Sequence, residues 1–281
     1  MVPVLLSLAA SSCWGVADFL GGLQSRRLPA LTVVLWVEAF GLVIVALMVA
    51  VARPPGFEDA GQALAAIASG LAGVLALTCF YRALAVGTMS VVAPISSTGL
   101  VVPVVVGLAS GNRPGAAQGV GIVFAALGVV LASREAGEEE LQSRAAPGVG
   151  LALLAALGFG AYFVGAKVGA EGSVLWTLLV GRAAAVPVLA ALAARQGAPL
   201  TPPDGPHAVR LAAIGAMDLA ATGLYALATT KGLLAVVAVL GALYPVTTVL
   251  LARGMLGERL QRSQGAGVIV ALTGVALIAA G

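Results

Sequence analysis

Charged residues are scarce in this chain of 281 residues, since Asp, Glu, Lys and Arg together make up 10% of it. In soluble domains about a quarter of the residues are charged. Here 60% of the residues are hydrophobic and the mean hydropathy is +1.06. This composition excludes an ordinary water-soluble domain and indicates that most of the outer surface faces lipid.

Metal-binding and redox-active residues are also few. The chain has one histidine, His207, and two cysteines, Cys13 and Cys79, which lie in apolar stretches without a CxxC motif. A zinc or haem site needs more ligands than these, and thiols in apolar runs are typical packing residues. The sequence therefore predicts no metal and no cofactor, and we expect His207 to be solvated in a proline-rich loop.

Sequence patterns for nucleotide, nucleic-acid or enzyme chemistry are missing as well. No GxxxxGK[ST] motif, which cradles nucleotide phosphates, occurs in the chain. The net charge of +3 gives no indication of nucleic-acid binding. Membrane enzymes usually need clustered His, Asp or Glu, so we predict that the protein is not an enzyme. A lipid-handling protein or a non-transporting structural protein remains an alternative to a transporter.

Long apolar segments are present instead, and about 20 such residues are enough for a helix to cross a membrane. Because no basic residue precedes the first segment, we interpret it as a membrane helix and not as a cleaved signal peptide. The fold class that follows is an all-α integral membrane protein. The ten predicted helices lie near residues 2–23, 32–52, 63–82, 88–109, 116–133, 148–168, 173–194, 208–230, 233–252 and 264–280.

The predicted helices fall into two related halves. A charged segment, 136–147, is expected to be a solvated linker between a first repeat at 1–135 and a second at 148–281. The sequence GNRPGAAQGVGIVFAALGVVLAS (111–133) matches GERLQRSQGAGVIVALTGVALIA (257–279) in a Gln-Gly pair and in glycine spacing. Repeats with an odd number of helices enter the membrane in opposite directions. We therefore predict two inverted five-helix repeats.

Short motifs near the start and the end of the chain are typical of one transporter family. They are Trp14-Gly15 in the first helix, Tyr244-Pro245 in the ninth, and Leu-Gly-Glu-Arg-Leu at 256–260 before a glycine-rich last helix. On these motifs the chain resembles the EamA-type ten-helix members of the drug/metabolite transporter superfamily. Because these transporters carry amino acids, sugars, nucleotide sugars or amphipathic drugs, the resemblance does not identify the substrate.

The resemblance implies a secondary transporter, most consistent with export of a small polar or amphipathic metabolite such as an amino acid or a related compound. It implies a monomer in the bacterial inner membrane, whose partners are the solute, the lipid bilayer and, as a possible coupling ion, the proton. The resemblance places both termini in the cytoplasm. The distribution of arginine among the connections, interpreted by the positive-inside rule, places them outside.

Ionisable residues within predicted spans are candidates for the solute pathway, because a charge in hydrocarbon is costly unless it faces a cavity or a partner. Glu38 and Arg182 become equivalent when the halves are aligned at an offset near 144. We therefore predict that they meet inside the bundle near the pseudo-twofold axis. The pair either binds a zwitterion and breaks during transport, or is a structural ion pair that joins the halves.

Asp18 and Trp14 are separated by one helical turn and share a face of the first helix. A carboxylate that is removed from water can take up a proton, and small multidrug members of the superfamily use an acidic residue of the first helix in this way. Asp18 is thus the first candidate for a proton carrier and Asp218 the second. The alternative for Asp18 is a bond to the backbone or to Arg26.

Hydroxyl groups mark further candidates. Asp218, Thr222 and Tyr225 repeat at helical spacing in the eighth helix, which indicates an inward-facing polar stripe that lines the pathway or bonds to other helices. Ser97 lies beyond Pro94 in the fourth helix. Interrupted helices form binding sites in transporters, although a proline kink without a ligand is equally consistent with the sequence.

Aromatic residues with a polar tip are the last group of candidates for the solute pathway. Tyr244, which precedes Pro245 in the middle of the predicted ninth helix, is the best aromatic candidate for the pathway. Tyr81, Tyr162 and Trp176 either have a similar role or anchor helix ends at the membrane interface.

Overall fold

The protein is described by a computed structural model that covers residues 1–86, 92, 95–132, 141–201, 203–256 and 262–280. Regular secondary structure in these ranges is entirely helical, as expected where backbone groups must bond within their own segment in lipid. The helices are α1 (Val2–Ser25), α2 (Ala30–Ala52), α3 (Ala60–Val86), α4 (Val101–Ala109), α5 (Ala116–Ala132), α6 (Leu141–Gly172), α7 (Val174–Arg195), α8 (Gly205–Thr229), α9 (Leu234–Gly241), α10 (Tyr244–Leu256) and α11 (Arg262–Ala280).

Six helices within the described ranges are long and apolar enough to cross a membrane, namely α1, α2, α3, the Gly148–Gly172 part of α6, α7 and α8. Four shorter apolar helices complete a set of ten, and they are Ile95–Ala109, Ala116–Gly128, Leu234–Thr248 and Gly265–Ile278. The predicted all-α fold with about ten membrane helices is confirmed.

The ninth predicted helix is broken near its centre. Helix α9 ends at Gly241 and α10 begins at Tyr244. Pro245 has no N–H, and in a continuous helix its ring would clash with the carbonyl four residues earlier, which is that of Gly241. Around the break, the N–H groups of Leu243 and Val246 bond to carbonyls three residues back, at 3.3 and 2.9 Å. The predicted mid-helix position of Tyr244 is therefore wrong, because Tyr244 starts a helix beside the break.

Two other boundaries differ from the predicted ones. Helix α6 begins at Leu141, so the second part of the predicted linker 136–147 is helical, which suits the helix-forming residues of its LQSRAA sequence. In the fourth predicted helix, Pro94 lies outside the described residues, and a 3-10 turn at Thr98–Leu100 precedes α4. The interruption expected in this helix is therefore present as a change of helix type.

The contacts between helices follow the symmetry of the two repeats. A contact between two helices recurs between the equivalent helices of the other repeat. The first repeat contributes α1 to α5, and the second contributes α6, α7, α8, the broken helix formed by α9 and α10, and α11. Helix α3 packs on α6 as α1 packs on α8, and α3 contacts α7 as α2 contacts α8. The pairs α2–α7 and α5–α11 join equivalent helices. This pattern is that of two repeats related by a pseudo-twofold axis.

Close backbone contacts between α5 and α11 obey the same symmetry. A Cβ atom added to Gly128 would lie 2.2 Å from the nitrogen of Ala271, and one added to Gly274 would lie 2.4 Å from the nitrogen of Ala125. The residues of each equivalent pair, Gly128 with Gly274 and Ala125 with Ala271, are 146 positions apart. Small residues allow membrane helices to approach this closely, so the glycine spacing shared by the repeats has a structural cause.

A second set of symmetric contacts surrounds the centre of the bundle. A Cβ atom on Gly70 of α3 would lie 2.2 Å from the carbonyl oxygen of Gly181 in α7. A Cβ atom on Gly215 of α8 would lie 2.5 Å from the carbonyl oxygen of Val37 in α2. These crossings place the residues that follow Val37 and Gly181 at the centre of the bundle, and those residues are Glu38 and Arg182.

Candidate functional site

A cavity of about 80 Å³ lies inside the bundle and is lined by residues of α1, α2, α3, α6, α7, α8 and α10. By a similar measure a water molecule needs about 10–15 Å³, so this cavity can hold several waters or a small solute. Both repeats contribute to its walls. Its position between inverted repeats is the one that substrate sites of many secondary transporters occupy.

Most of the predicted pathway residues meet at this cavity. Seven of the nine line it, and these are Trp14, Asp18, Glu38, Arg182, Asp218, Thr222 and Tyr244. The other two lie outside its lining. Tyr225 is buried behind Trp14, with ring centroids 5.6 Å apart, and its hydroxyl donates to the Phe163 carbonyl at 3.4 Å. Ser97 is buried in the fourth helix. The polar stripe of α8 thus lines the cavity at Asp218 and Thr222 only.

Arg182 lies between two carboxylates. Its Nη2 donates a hydrogen bond to Asp218 Oδ2 at 2.5 Å, and its Nε lies 3.4 Å from Glu38 Oε2. The predicted approach of Glu38 and Arg182 is present, but Asp218 is the hydrogen-bonded partner, which the sequence comparison did not reveal. Glu38 and Arg182 are 8% and 6% exposed. Mutual neutralisation lowers the cost of burying these charges, which is large for an unpaired ion.

Gly41 makes room for the Arg182 guanidinium. A Cβ atom at Gly41 would lie 2.7 Å from Arg182 Nε. Gly41 follows Glu38 by three residues, so the two share one face of α2. A larger residue would therefore push the guanidinium away from Glu38. Sequence reasoning missed this residue, although a glycine one turn from a buried acid is a signal that could have revealed it.

Asp18 differs from the other two acids. It is 8% exposed and lines the cavity one turn after Trp14. Within the described parts of the chain its carboxylate has no hydrogen bond and no ion pair, and the charge that acts on it is that of Asp218. The alternative of a bond to the backbone or to Arg26 is therefore not observed there. Asp18 presents a carboxyl group to the cavity without a counter-ion.

Aromatic rings form much of the remaining wall. Trp14 makes an edge contact with Tyr162, with centroids 6.4 Å apart, and another with Phe163 at 5.8 Å. Phe159 and Tyr244 also line the cavity. Interfacial anchoring is wrong for Tyr162, whose hydroxyl is buried inside the bundle. These rings give the cavity an aromatic wall beside its charged groups.

The other predicted aromatic and histidine positions do not line the cavity. Tyr81 is 1% exposed and packs against Gly21, so it is not an interfacial anchor. Trp176 lies near the start of α7, where its Nε1 donates to the Pro54 carbonyl at 3.1 Å. The prediction that His207 is solvated in a loop is wrong, because it lies in the first turn of α8, half-buried, with Nδ1 2.9 Å from Gln24 Oε1.

The cavity extends from the charged groups toward one side of the bundle. Asp18 lies toward the end of α1 and Glu38 toward the start of α2, on the side of the α1–α2 connection. Thr177 lies near the start of α7 and Ala226 near the end of α8, both on the opposite side. Asp18 and Glu38 therefore lie at one end of the cavity, whereas Thr177 and Ala226 lie toward the side of the chain termini.

Comparison with known proteins supports the two-repeat organisation. The sequence pattern of the EamA-like transporter family matches residues 1–134 and 146–280. A solved crystal structure of a protein with 18% sequence identity superposes with a TM-score of 0.79, over 99% of this chain and 98% of that chain. At this identity the likeness shows the fold alone. A search of the curated proteins finds no match.

Proposed function

Because the chain belongs to the EamA-like transporter family, it is a multi-pass membrane transporter of a small molecule, and we propose that it exports a small polar or amphipathic metabolite across the bacterial inner membrane. The observation that carries this proposal is the cavity between the repeats. Charged residues of both repeats meet there beside an aromatic wall. Such a site suits a solute with one polar group and a compact apolar part.

Transport against a gradient needs a coupled ion or an exchanged solute, and Asp18 is the proposed proton carrier. Arg182 contacts both Glu38 and Asp218, so these two acids have a positive partner. Asp18 has none among the residues described. A carboxyl group in this position can bind a proton on one side of the membrane and release it on the other. Asp218, the second choice from the sequence, becomes the weaker candidate because it is hydrogen-bonded to Arg182.

Solute flux in liposomes that contain only this protein tests the proposal. A screen of metabolites by thermal shift would first select compounds that stabilise the purified chain, since a ligand of the folded state raises its apparent stability. We expect flux of at least one selected compound above that of protein-free liposomes. Absence of flux across a broad panel of polar and amphipathic metabolites would contradict the proposal. The same liposomes test whether a monomer suffices, if reconstitution is repeated at limiting protein-to-lipid ratios.

A further inference from the structure

Exposed arginines gather on one side of the bundle, where the α1–α2 connection meets the α7–α8 connection. Two contacts join these segments across the repeats. Gln24 Oε1 lies 2.9 Å from His207 Nδ1, and the Thr32 hydroxyl donates to the Pro199 carbonyl at 3.5 Å. The exposed basic residues of these segments form what we call the arginine surface, and they are Arg26, Arg27, Arg195 and Arg210.

Both repeats contribute two residues to the arginine surface. Arg26 and Arg27 directly follow α1, in a turn in which the Arg27 N–H bonds to the Gln24 carbonyl at 2.9 Å. In the second repeat, Arg210 lies one turn after His207 in α8. The contact between Gln24 and His207 therefore places arginines of the two repeats in the same area.

The arginine surface has almost no counter-charge. None of its four residues forms an ion pair in the described parts of the chain, and Asp204 is the one acid in the two connections. The α2–α3 connection on the opposite side differs, since Glu58 and Asp59 follow Arg53 there. Like charges that are held together repel one another. An anion bound among these arginines would therefore stabilise their arrangement.

The position of the arginine surface in the bundle indicates which anion fits. Val209, next to Arg210, is 70% exposed, and Leu200 in the α7–α8 connection is 46% exposed. Exposed apolar side chains of a membrane protein face lipid, so the neighbouring arginines lie near the level of the headgroups. Clusters of basic residues at this level bind anionic lipid headgroups, and a guanidinium group can form two parallel hydrogen bonds with a phosphate.

We propose that the arginine surface binds the headgroup of one anionic phospholipid, whose phosphate bridges the two repeats. Arg27 contacts the phosphate from the first repeat and Arg210 from the second. The lipid thus holds the α1–α2 connection against the α7–α8 connection, on the side of the cavity toward which Asp18 and Glu38 lie. This site is separate from the solute cavity, and its test does not depend on transport.

Lipid binding to the purified full-length chain tests the proposal. Native mass spectrometry counts the lipids that remain bound, and spin-labelled lipids in phosphatidylcholine nanodiscs give relative affinities. We expect one retained phosphatidylglycerol per chain, bound at least about tenfold more tightly than phosphatidylcholine. Both leaflets of a nanodisc have the same composition, so the result holds for either orientation of the chain.

Substitutions on the two sides of the bridge show whether the arginines cause the preference. One arginine near an anionic membrane surface changes affinity about fivefold. Arg27→Gln and Arg210→Gln should therefore each weaken phosphatidylglycerol binding by about this factor, and each should lose the retained lipid. The double variant should bind both lipids alike. Arg113→Gln is the matched control, because Arg113 is an exposed arginine in the α4–α5 connection on the opposite side, and it should keep the preference.

Several results would overturn the proposal. They are equal binding of the two lipids by the wild-type chain, an unchanged preference in Arg27→Gln and Arg210→Gln, or an equal loss in Arg113→Gln. Two retained lipids, of which each variant loses only one, would refute the bridge. Displacement of the labelled lipid by millimolar inorganic phosphate would assign the surface to a free anion. Lipid binding that appears only after residues 138–140, three glutamates of the linker, are replaced by glutamine would assign it to the linker.

Discussion

The two repeats are alike where their helices cross and unlike where they face the cavity. Gly128 meets Ala271 as Gly274 meets Ala125, so the contacts between α5 and α11 are the same from either repeat. In the cavity, by contrast, Glu38 of the first repeat faces Arg182 of the second. Backbone crossings related by symmetry have the same spatial requirement, and the same small residues satisfy it in both copies.

Charged side chains near a pseudo-twofold axis, unlike the small residues at the helix crossings, must differ between the two repeats. Two identical charges at equivalent positions would lie close together and repel each other in a region of low dielectric constant. An acid in one repeat and a base in the other neutralise each other at the same place. The asymmetry of the cavity is therefore what allows charged residues to be placed near the axis, and it leaves Asp18 without an equivalent acid in the second repeat.

The largest effect is expected from loss of the single base in the cavity. Arg182→Leu leaves Glu38 and Asp218 buried without a counter-ion and should lower the free energy of unfolding by about 3–5 kcal/mol. Thermal unfolding in lipid nanodiscs and the yield of folded protein measure this. Adding Asp218→Asn to Arg182→Leu should restore part of the loss. Wild-type stability of Arg182→Leu would show that these charges are not coupled.

Symmetric substitutions at the crossing of α5 and α11 should have equal effects. Gly128→Ala and Gly274→Ala each place a methyl group against a backbone nitrogen of the partner helix, at a cost of about 1–3 kcal/mol. Gly119→Ala is the control, since nothing lies within 4 Å of its added Cβ atom. The unfolding temperatures of the three variants measure whether the two costs are equal. A large difference between the first two would contradict the symmetry of this interface.

Gly41→Ala tests the asymmetric contact between Glu38 and Arg182 with a smaller change. The added methyl group displaces Arg182 Nε from its position 3.4 Å from Glu38, and because a side chain can shift, we expect a cost of about 1 kcal/mol. The rate of transport in liposomes should decrease although the variant remains folded. Full transport activity at wild-type stability would mean that the contact between Glu38 and Arg182 is dispensable.

The smallest effect is expected at the exposed ion pair of Lys167 and Glu171, which are four residues apart in α6. Solvent screens such pairs, so Lys167→Gln should change stability by only about 0.3–0.5 kcal/mol. The measurement is again thermal unfolding, made beside Arg182→Leu. A cost as large as that of Arg182→Leu would show that burial does not control the strength of ion pairs in this protein.

The sequence predicted the helices and most cavity residues for a simple physical reason. Long apolar runs and the cost of buried charge are visible residue by residue, and so Asp18, Glu38 and Arg182 could be identified. The Asp218 contact with Arg182 and the space at Gly41 depend on how three separate helices cross, which local patterns do not reveal. The break before Tyr244 was signalled by Pro245, but its effect on the helix depends on how the bundle accommodates the kink.

We propose that Asp18, the cavity acid without a counter-ion among the described residues, couples transport to the proton gradient. The direct measurement is solute flux driven by an imposed pH gradient in liposomes that contain wild-type protein, Asp18→Asn, Asp218→Asn or the control Glu171→Gln. We expect Asp18→Asn to fold normally and to lose the pH-driven flux, and Glu171→Gln to retain it. Unchanged pH-driven flux in both Asp18→Asn and Asp218→Asn would contradict the claim and favour a facilitator or an exchanger.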